Sequence, residues 1–315
     1  MSRFISTGSC VLDLPMNLPH FPVRGGDVIA HSAGALVGGG FNVVSAVARQ
    51  GIETCLASPL GTGANSAQVR YELESEGIEH VGETLVGDTG LCLTLREPDG
   101  ERTFITTLGV EAEPSHDEFE DLTVEPGDVV YVSGYDLAYP MSAPVVSRFA
   151  ADLPNGVTLV VDTGPIVDEI DLDVLTAVLR RCDLLSLNRR EAGLVQEITG
   201  VSERFAALRS LVSEQCAVLV RAGSEGCWVQ PREGEIPARV PAFEIEVADT
   251  TGSGDAHTGV VAASLMEGLD LRAAIRRANA AAGIAATRVG PATCPTRREI
   301  DDFLALESGS KPISG

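Results

Sequence analysis

The segment Asp249-Thr250-Thr251-Gly252-Ser253-Gly254-Asp255 carries the clearest chemistry in the chain. Its glycines stand before a helical run over residues 256–267. That order predicts backbone N–H groups opening at a helix N-terminus, where unpaired amides and the helix dipole both favour an anion. Asp255 falls in the first turn, where an acid is ordinarily just a favourable helix charge. Beside an anion hole it could also take the proton of a hydroxyl while Gly252, Ser253 and Gly254 hold the group being transferred. The competing reading of the turn is a plain strand-to-helix connection.

Two further glycine-rich turns precede helical patterns. In Val37-Gly38-Gly39-Gly40-Phe41-Asn42, three glycines allow a small polar ligand close to the backbone, and Asn42 offers a donor and an acceptor. The alternative is a flexible loop with Asn42 as an N-cap. Gly61-Thr62-Gly63-Ala64-Asn65-Ser66 resembles half a dinucleotide fingerprint but ends in Ser66, and reads as a capping turn. The sequence has no phosphate-binding GxxxxGK[ST] loop, no HExxH pair and no GxSxG elbow. Of the histidines, only His257 lies near the leading motif, two residues after Asp255.

The elements that must position these residues alternate. Strand-like runs are predicted over residues 4–12, 55–59, 129–133, 158–162, 184–187 and 217–221, and helices over 42–50 and 64–76. This rhythm predicts an α/β fold: a mostly parallel, Rossmann-like sheet flanked by helices, with ligands at the carboxyl ends of its strands. Residues 15–36 break the rhythm with Pro and Gly. Residues 91–97 and 102–107, joined by Pro98-Asp99-Gly100, read as a hairpin. Together these segments predict a small β lid beside the main sheet.

Composition narrows the function. The chain has 315 residues, is 44% hydrophobic and 22% charged, and carries a net charge of −22 from 45 acidic and 23 basic residues. Such a surface repels phosphate backbones and argues against nucleic-acid partners. Seven widely spaced cysteines form no CxxC pair, which predicts reduced thiols in a cytoplasmic protein. No stretch of about 18 apolar residues occurs, so no membrane partner is expected.

In this order the motifs resemble the ribokinase-like (PfkB) carbohydrate kinase family, most closely a bacterial branch of sugar kinases. The segment from Asp249 to Ala256 is similar to its C-terminal DTTGAGDxF signature, and Val37 to Ala46 to its N-terminal GGxxxN region. Asn188-Arg189-Arg190-Glu191 matches its NxxE motif, and the turn from Arg221 to Gly226 takes the place of its TxGxxG turn.

The resemblance implies an ATP-dependent kinase in which Asp255 is the base and Gly252, Ser253 and Gly254 form the anion hole. Asp13, Asn42 and the backbone of Gly38, Gly39 and Gly40 would hold substrate hydroxyls, with Phe104 near the substrate. Asn188 and Glu191 would organise Mg2+ through water; Arg221, Gly223, Gly226 and Asn279 would attend the nucleotide. Asp249 and Thr251, with carbonyls at Ala286, Val289 and Pro291, could hold K+. The implied layout is an α/β core over residues 1–12, 37–87 and 113–308, a lid over 13–36 and 88–112 that joins two copies into a homodimer, and a loose tail over 309–315.

The departures bear on substrate. Gly39 stands where sugar-phosphate kinases of the family often carry Lys, which favours an unphosphorylated sugar. Arg221 replaces Thr or Lys and could reach a phosphate; His257 replaces Phe and could touch substrate or only pack. A nucleoside is the alternative substrate, but it needs an aromatic platform, and in a chain only 4% aromatic the candidates are Phe41 and Phe104. A non-catalytic ligand-binding regulator is the remote alternative; loss of Asp255 or its turn would have favoured it, and both are present.

Overall fold

Apolar runs rich in Val and Leu form the centre of a nine-stranded sheet in the computed structural model, which describes residues 2–32, 34–99 and 101–309. The sheet order is Ala238–Val240, Cys227–Gln230, Ala217–Arg221, Leu184–Asn188, Thr158–Asp162, Val129–Ser133, Phe4–Ser6, Thr54–Leu56 and Glu79–His80. From Ala217–Arg221 onward every pairing is parallel; Cys227–Gln230 pairs antiparallel at the other end. The central strands are buried on both faces, as continuous apolar runs require.

Helices Gly40–Ala48, Ser253–Met266 and Leu271–Ala286 cover one face. Ser142–Ala151, Leu172–Arg181 and Arg189–Thr199 cover the other. This is the mostly parallel α/β fold expected. Helix Ser253–Met266 is buried continuously from Ala256 to Ser264, because small residues let its neighbours approach. A Cβ on Gly259 would stand 2.8 Å from that of Ala46. The helix that begins with the leading motif is therefore fixed in the core.

A second, smaller sheet has the order Arg102–Thr107, Leu91–Arg96, Cys10–Asn17, His31–Ser32, with Leu36–Gly39 also pairing onto Cys10–Asn17. The hairpin forms as expected, Arg102 opposite Arg96 and Thr107 opposite Leu91, although Gly100 of its turn lies outside the described residues. The expected single strand over residues 4–12 is in fact two. Phe4–Ser6 belongs to the large sheet and Cys10–Asn17 to the small one. The chain changes sheets at Thr7, Gly8 and Ser9, where Gly8 packs directly on Gly40. The small sheet thus begins at Cys10 and takes in Leu36–Gly39, outside residues 13–36 on both sides. The tail beyond Gly309 lies outside the described residues.

Candidate active site

Four neighbouring parallel strands end on one cavity. Their last residues, Ser133, Asp162, Asn188 and Arg221, line a space of about 320 Å3. Open parallel sheets place ligands at these carboxyl ends. Asp13 and Phe104 from the small sheet close it from above, and Asn42, Gly254 and Asp255 from the helix starts close it from the side. A second cavity of about 410 Å3 adjoins it, lined by Gly223, Gly226, Ser253, His257 and Asn279 among others. Asn188, Arg221 and Gly254 lie on both.

Asp255 faces the first cavity. Its Oδ2 accepts a hydrogen bond from Asn42 Nδ2 at 2.8 Å, which fixes the carboxylate. Burial pushes its pKa up to about 7, with Asp162 adding to the push while Asn42 and Arg221 oppose it. The Oδ1 of Asn42 is buried without a partner among the described residues. Asn42 is not an N-cap: it is the third residue of helix Gly40–Ala48, whose N-cap is Gly39 at φ +63°. Asp13 is likewise pushed up, to about 6, by burial, with Cys92 opposing. Gly38 supports it without lining the cavity, because any side chain there would overlap the Asp13 carboxylate. Gly39 and Gly40 do line it, and the Gly40 amide is already given to the Ser9 carbonyl at 2.7 Å.

The glycine turn differs in detail from the expected row of three open amides. Gly252 has φ +73° and lines neither cavity; it packs on the Pro291 carbonyl. The Ser253 amide turns back to the Thr250 carbonyl at 3.2 Å, and the Ser253 hydroxyl is buried without a partner among the described residues. The first-turn amides of Gly254 and Asp255 have no carbonyl one turn back within the helix to accept them. By contrast, the helix after Gly61-Thr62-Gly63 already holds an anion. The Asp88 carboxylate accepts the amides of Asn65 (3.1 Å) and Ser66 (2.8 Å), so this turn caps a helix as expected.

Asn188 and Glu191 form a capping box at helix Arg189–Thr199. Glu191 accepts the Asn188 amide at 2.6 Å and also meets Arg221 at 3.4 Å. Both Glu191 oxygens thus accept hydrogen bonds within the fold. Among the described residues no three acidic, His or Cys side chains converge on one point. Of the expected K+ donors, Asp249 Oδ1 accepts the Thr251 amide and hydroxyl at 2.9 and 2.8 Å, and the segment carrying Val289 and Pro291 folds against this turn through Gly290 and Gly252. The Ala286 carbonyl is already taken by the amides of Ala248 and Asp249.

In the second cavity, Asn279 Nδ2 donates to the carbonyls of Val240 and Pro241, each at 3.0 Å. Its Oδ1 must therefore accept from His257 Nε2, 3.2 Å away, which leaves His257 Nδ1 as a buried acceptor without a partner among the described residues. Burial holds His257 down to about 3, so the ring is neutral. His257 thus faces the second cavity and not the first. Gly226, at φ +97°, lets its turn pack against the backbone near Val240.

Sequence reasoning missed several cavity residues. Asp162 and Ser133 carried one legible signal, their position at strand ends. Tyr135 and Tyr139, which also line the first cavity, carried none. Of the two aromatic residues singled out, Phe104 lines the cavity, whereas Phe41 is buried in the core. Arg221, which could reach a phosphate, is bonded to Asp162, Ser186, Thr258 and Glu191 and lies on the walls of both cavities.

The model of the pfkB family carbohydrate kinases matches residues 1–298. The chain is 36% identical over 296 residues to the uncharacterized sugar kinase YegV of Escherichia coli K12, covering 93% of this chain and 91% of that one. It is 27% identical over 309 residues to an ATP-dependent ribose-1-phosphate kinase of Halopiger xanaduensis, covering 97% and 99%. Among solved structures, ribokinase from Thermotoga maritima shares the fold at a TM-score of 0.82 and 22% identity, over 97% of this chain and 100% of that one. The chain therefore belongs to the PfkB family of carbohydrate kinases, phosphotransferases acting on hydroxyl groups, and has their ribokinase-like fold.

Proposed function

We propose that the protein transfers the γ-phosphoryl group of ATP to a hydroxyl of a neutral, unphosphorylated sugar, with Asp255 as the base. The observation that carries this reading is the first cavity itself. It holds Asp255, Asp13, Asp162 and Glu191, and its one cation among the described residues, Arg221, is bonded to two of those acids. A substrate phosphate there would meet like charge with no uncommitted cation. Of the lid arginines that could serve, Arg24 is exposed and Arg96 lies off the cavity wall, while the Arg102 side chain lies outside the described residues.

In this reading Asn42 aims the Asp255 carboxylate, which takes the acceptor proton as the oxygen attacks phosphorus and ADP leaves. Asp13, Asn42 and the Gly39 and Gly40 backbone orient the sugar. The open first-turn amides of Gly254 and Asp255 and the dipole of helix Ser253–Met266 receive the transferring group, and Gly223, Gly226 and Asn279 shape the nucleotide side. Asn188 and Glu191 would hold Mg2+ through water, and when bound it would supply the charge neutralisation that phosphoryl transfer requires. K+ would sit behind the turn, with Asp249, Thr251 and the carbonyls of Val289 and Pro291 as donors. The small sheet acts as the lid. The seven cysteines are all free and buried, in keeping with a reducing cytoplasm.

Nucleosides are the second reading, and the structure supplies what the composition did not offer. Phe104, Tyr135 and Tyr139 give the first cavity an aromatic wall on which a base could stack. A coupled ADP-release screen at fixed Mg-ATP and K+ tests both. Neutral sugars or nucleosides are expected to exceed fructose 6-phosphate, tagatose 6-phosphate, fructose 1-phosphate and ribose 1-phosphate in kcat/KM by about 10²-fold or more. A sugar phosphate as best substrate overturns the neutral-substrate reading, and the better of the free sugars and nucleosides decides between the other two.

A lid-to-lid homodimer goes with this reading. Phe104, Ile105 and Leu108 are more than half or about half exposed, at 59%, 50% and 51%. On the neighbouring strand Leu95 is buried, and Leu91 and Leu93 are half-buried. Exposed apolar strand surface seeks a partner. Light scattering at micromolar concentration is expected to give twice the 33.0 kDa chain mass, and Phe104→Asp to give the monomer; a monomeric wild type counts against the dimer.

A further inference from the structure

Arg221 ends strand Ala217–Arg221 and lies on the walls of both cavities. Its guanidinium is locked. Nη1 bonds Asp162 Oδ2, and also donates to the hydroxyls of Ser186 and Thr258 at 2.8 Å each. Nη2 reaches Asp162 Oδ1 and Glu191 Oε2, each at 3.4 Å. Thr258 in turn donates to Asp162 at 2.9 Å and shares a hydrogen bond with Ser186 at 2.9 Å. Nε has no hydrogen bond among the described residues. A Cβ on Gly254 would stand 3.5, 3.6 and 3.7 Å from Cζ, Nη2 and Nε, so Gly254 sits over the face of the guanidinium plane.

The pair is nearly inaccessible, with the side chains of Arg221 and Asp162 only 13% and 8% exposed. Buried ion pairs add little net stability, because desolvation offsets their attraction. What this one does is local. Around Asp255 stand Asp13 from the small sheet, Asn42 from helix Gly40–Ala48, Tyr131 from strand Val129–Ser133, Tyr135 from the short helix after it and Asp162 from strand Thr158–Asp162. Glu191 adds a further acid on the far side of Arg221. Arg221 is the one positive charge among them.

We propose that Arg221, clamped against Asp162, is a positioning residue for phosphoryl transfer: a fixed charge beneath the Gly254 end of the anion turn that balances the carboxylates crowded round Asp255 and holds them in place. The proposal rests on Asp255 being the base. Asp255 is then left free to ionise near neutral pH despite its acidic neighbours, in agreement with the opposing pulls of Asp162 and Arg221 on its titration. Because the Arg221 hydrogen bonds to Asp162 and Glu191 are already made, its effect falls on the reacting geometry and not on nucleotide affinity.

The test compares Arg221→Met, Arg221→Lys and Asp162→Asn for kcat, KM for ATP, and the pH profile of kcat/KM on the best substrate from the screen. Arg221→Met is expected to move the acid limb up by about one pH unit and to lower kcat at neutral pH about tenfold or more, with KM for ATP little changed. Arg221→Lys keeps the charge and is expected to restore most of the limb. Asp162→Asn removes an opposing acid and is expected to move the limb down; it carries the test alone if Arg221→Met does not fold. Unmoved limbs in Arg221→Met and Asp162→Asn, or a change confined to KM for ATP, overturn the proposal. If Asp255→Asn is inactive in the same assay, the base reading survives that result; if Asp255→Asn turns over normally, both fall.

Discussion

Asp255→Asn is expected to lower kcat by at least about 10²-fold while the protein stays folded and binds ATP. The amide matches the carboxylate in shape, and its Oδ1 can still accept the 2.8 Å hydrogen bond from Asn42. What it cannot do is take a proton from the acceptor hydroxyl. Burial already disfavours the charge, holding the carboxyl up at about 7, so removing it does not cost the fold a well-solvated ion. The loss of one acid from the first turn of helix Ser253–Met266 costs about 0.3–1 kcal/mol at most on general grounds. The same titration gives the wild type its pH dependence. A base works when ionised, and the folded value lies above the ordinary carboxylate range. Activity is therefore expected to rise with pH through about 7 and level off above it. The residual rate of Asp255→Asn should lack that limb. Steady-state kinetics from pH 5.5 to 9, with calorimetric ADP binding, provide the check; wild-type turnover in the variant removes Asp255 from its role.

The contiguous part of the site was legible in the sequence because its chemistry is local. A glycine turn, a helix and an acid in its first turn occupy one short segment, and no long-range contact is needed to see them together. The large sheet was legible for a similar reason. Short β-branched apolar runs such as Thr158–Asp162 and Ala217–Arg221 are buried on both faces, as strands inside a parallel sheet require. The break at Gly8 is marked by the short polar run Ser6-Thr7-Gly8-Ser9. What the sequence did not show is that the two halves join different sheets, which depends on the close approach of Gly8 to Gly40. Asp162, Ser186 and Arg221 meet because neighbouring strands run in parallel register, with Asp162 opposite Ser186 and Asn188 opposite Arg221. That register is a property of the assembled sheet. The Arg221 side chain was therefore visible as an unusual residue in its turn, while its partner was not. The aromatic wall of the cavity was hidden likewise: Tyr135 and Tyr139 sit on a five-residue helix, Gly134–Ala138, and its C-cap, too short for any periodicity to reveal which way they face.

Gly252→Ala tests the turn independently of the base, and its expected effect is of the same order. Gly252 combines two constraints. Its φ of +73° is a left-handed conformation that costs an alanine about 1–2 kcal/mol. A Cβ there would also overlap the backbone carbonyl of Pro291, which has no flexible end to move aside. Gly252 is the N-cap of the helix that carries Gly254 and Asp255, so relief of the overlap must shift that helix start. A displacement of about 1 Å in a reacting group is enough for a loss of about 10²-fold, and loss of one anion-hole donor for about 10²–10³-fold. Gly200→Ala separates strain from displacement. Gly200 caps helix Arg189–Thr199 at φ +68°, but nothing stands within 4 Å of its would-be Cβ. It should lose about 1 kcal/mol of stability and keep its kcat. Gly252→Ala should lose more stability, by denaturant midpoint, and at least about 10²-fold in kcat. Equal stability losses with kcat intact in both would mean that the turn tolerates the shift, and that Gly252 serves the fold without setting the geometry of the transfer.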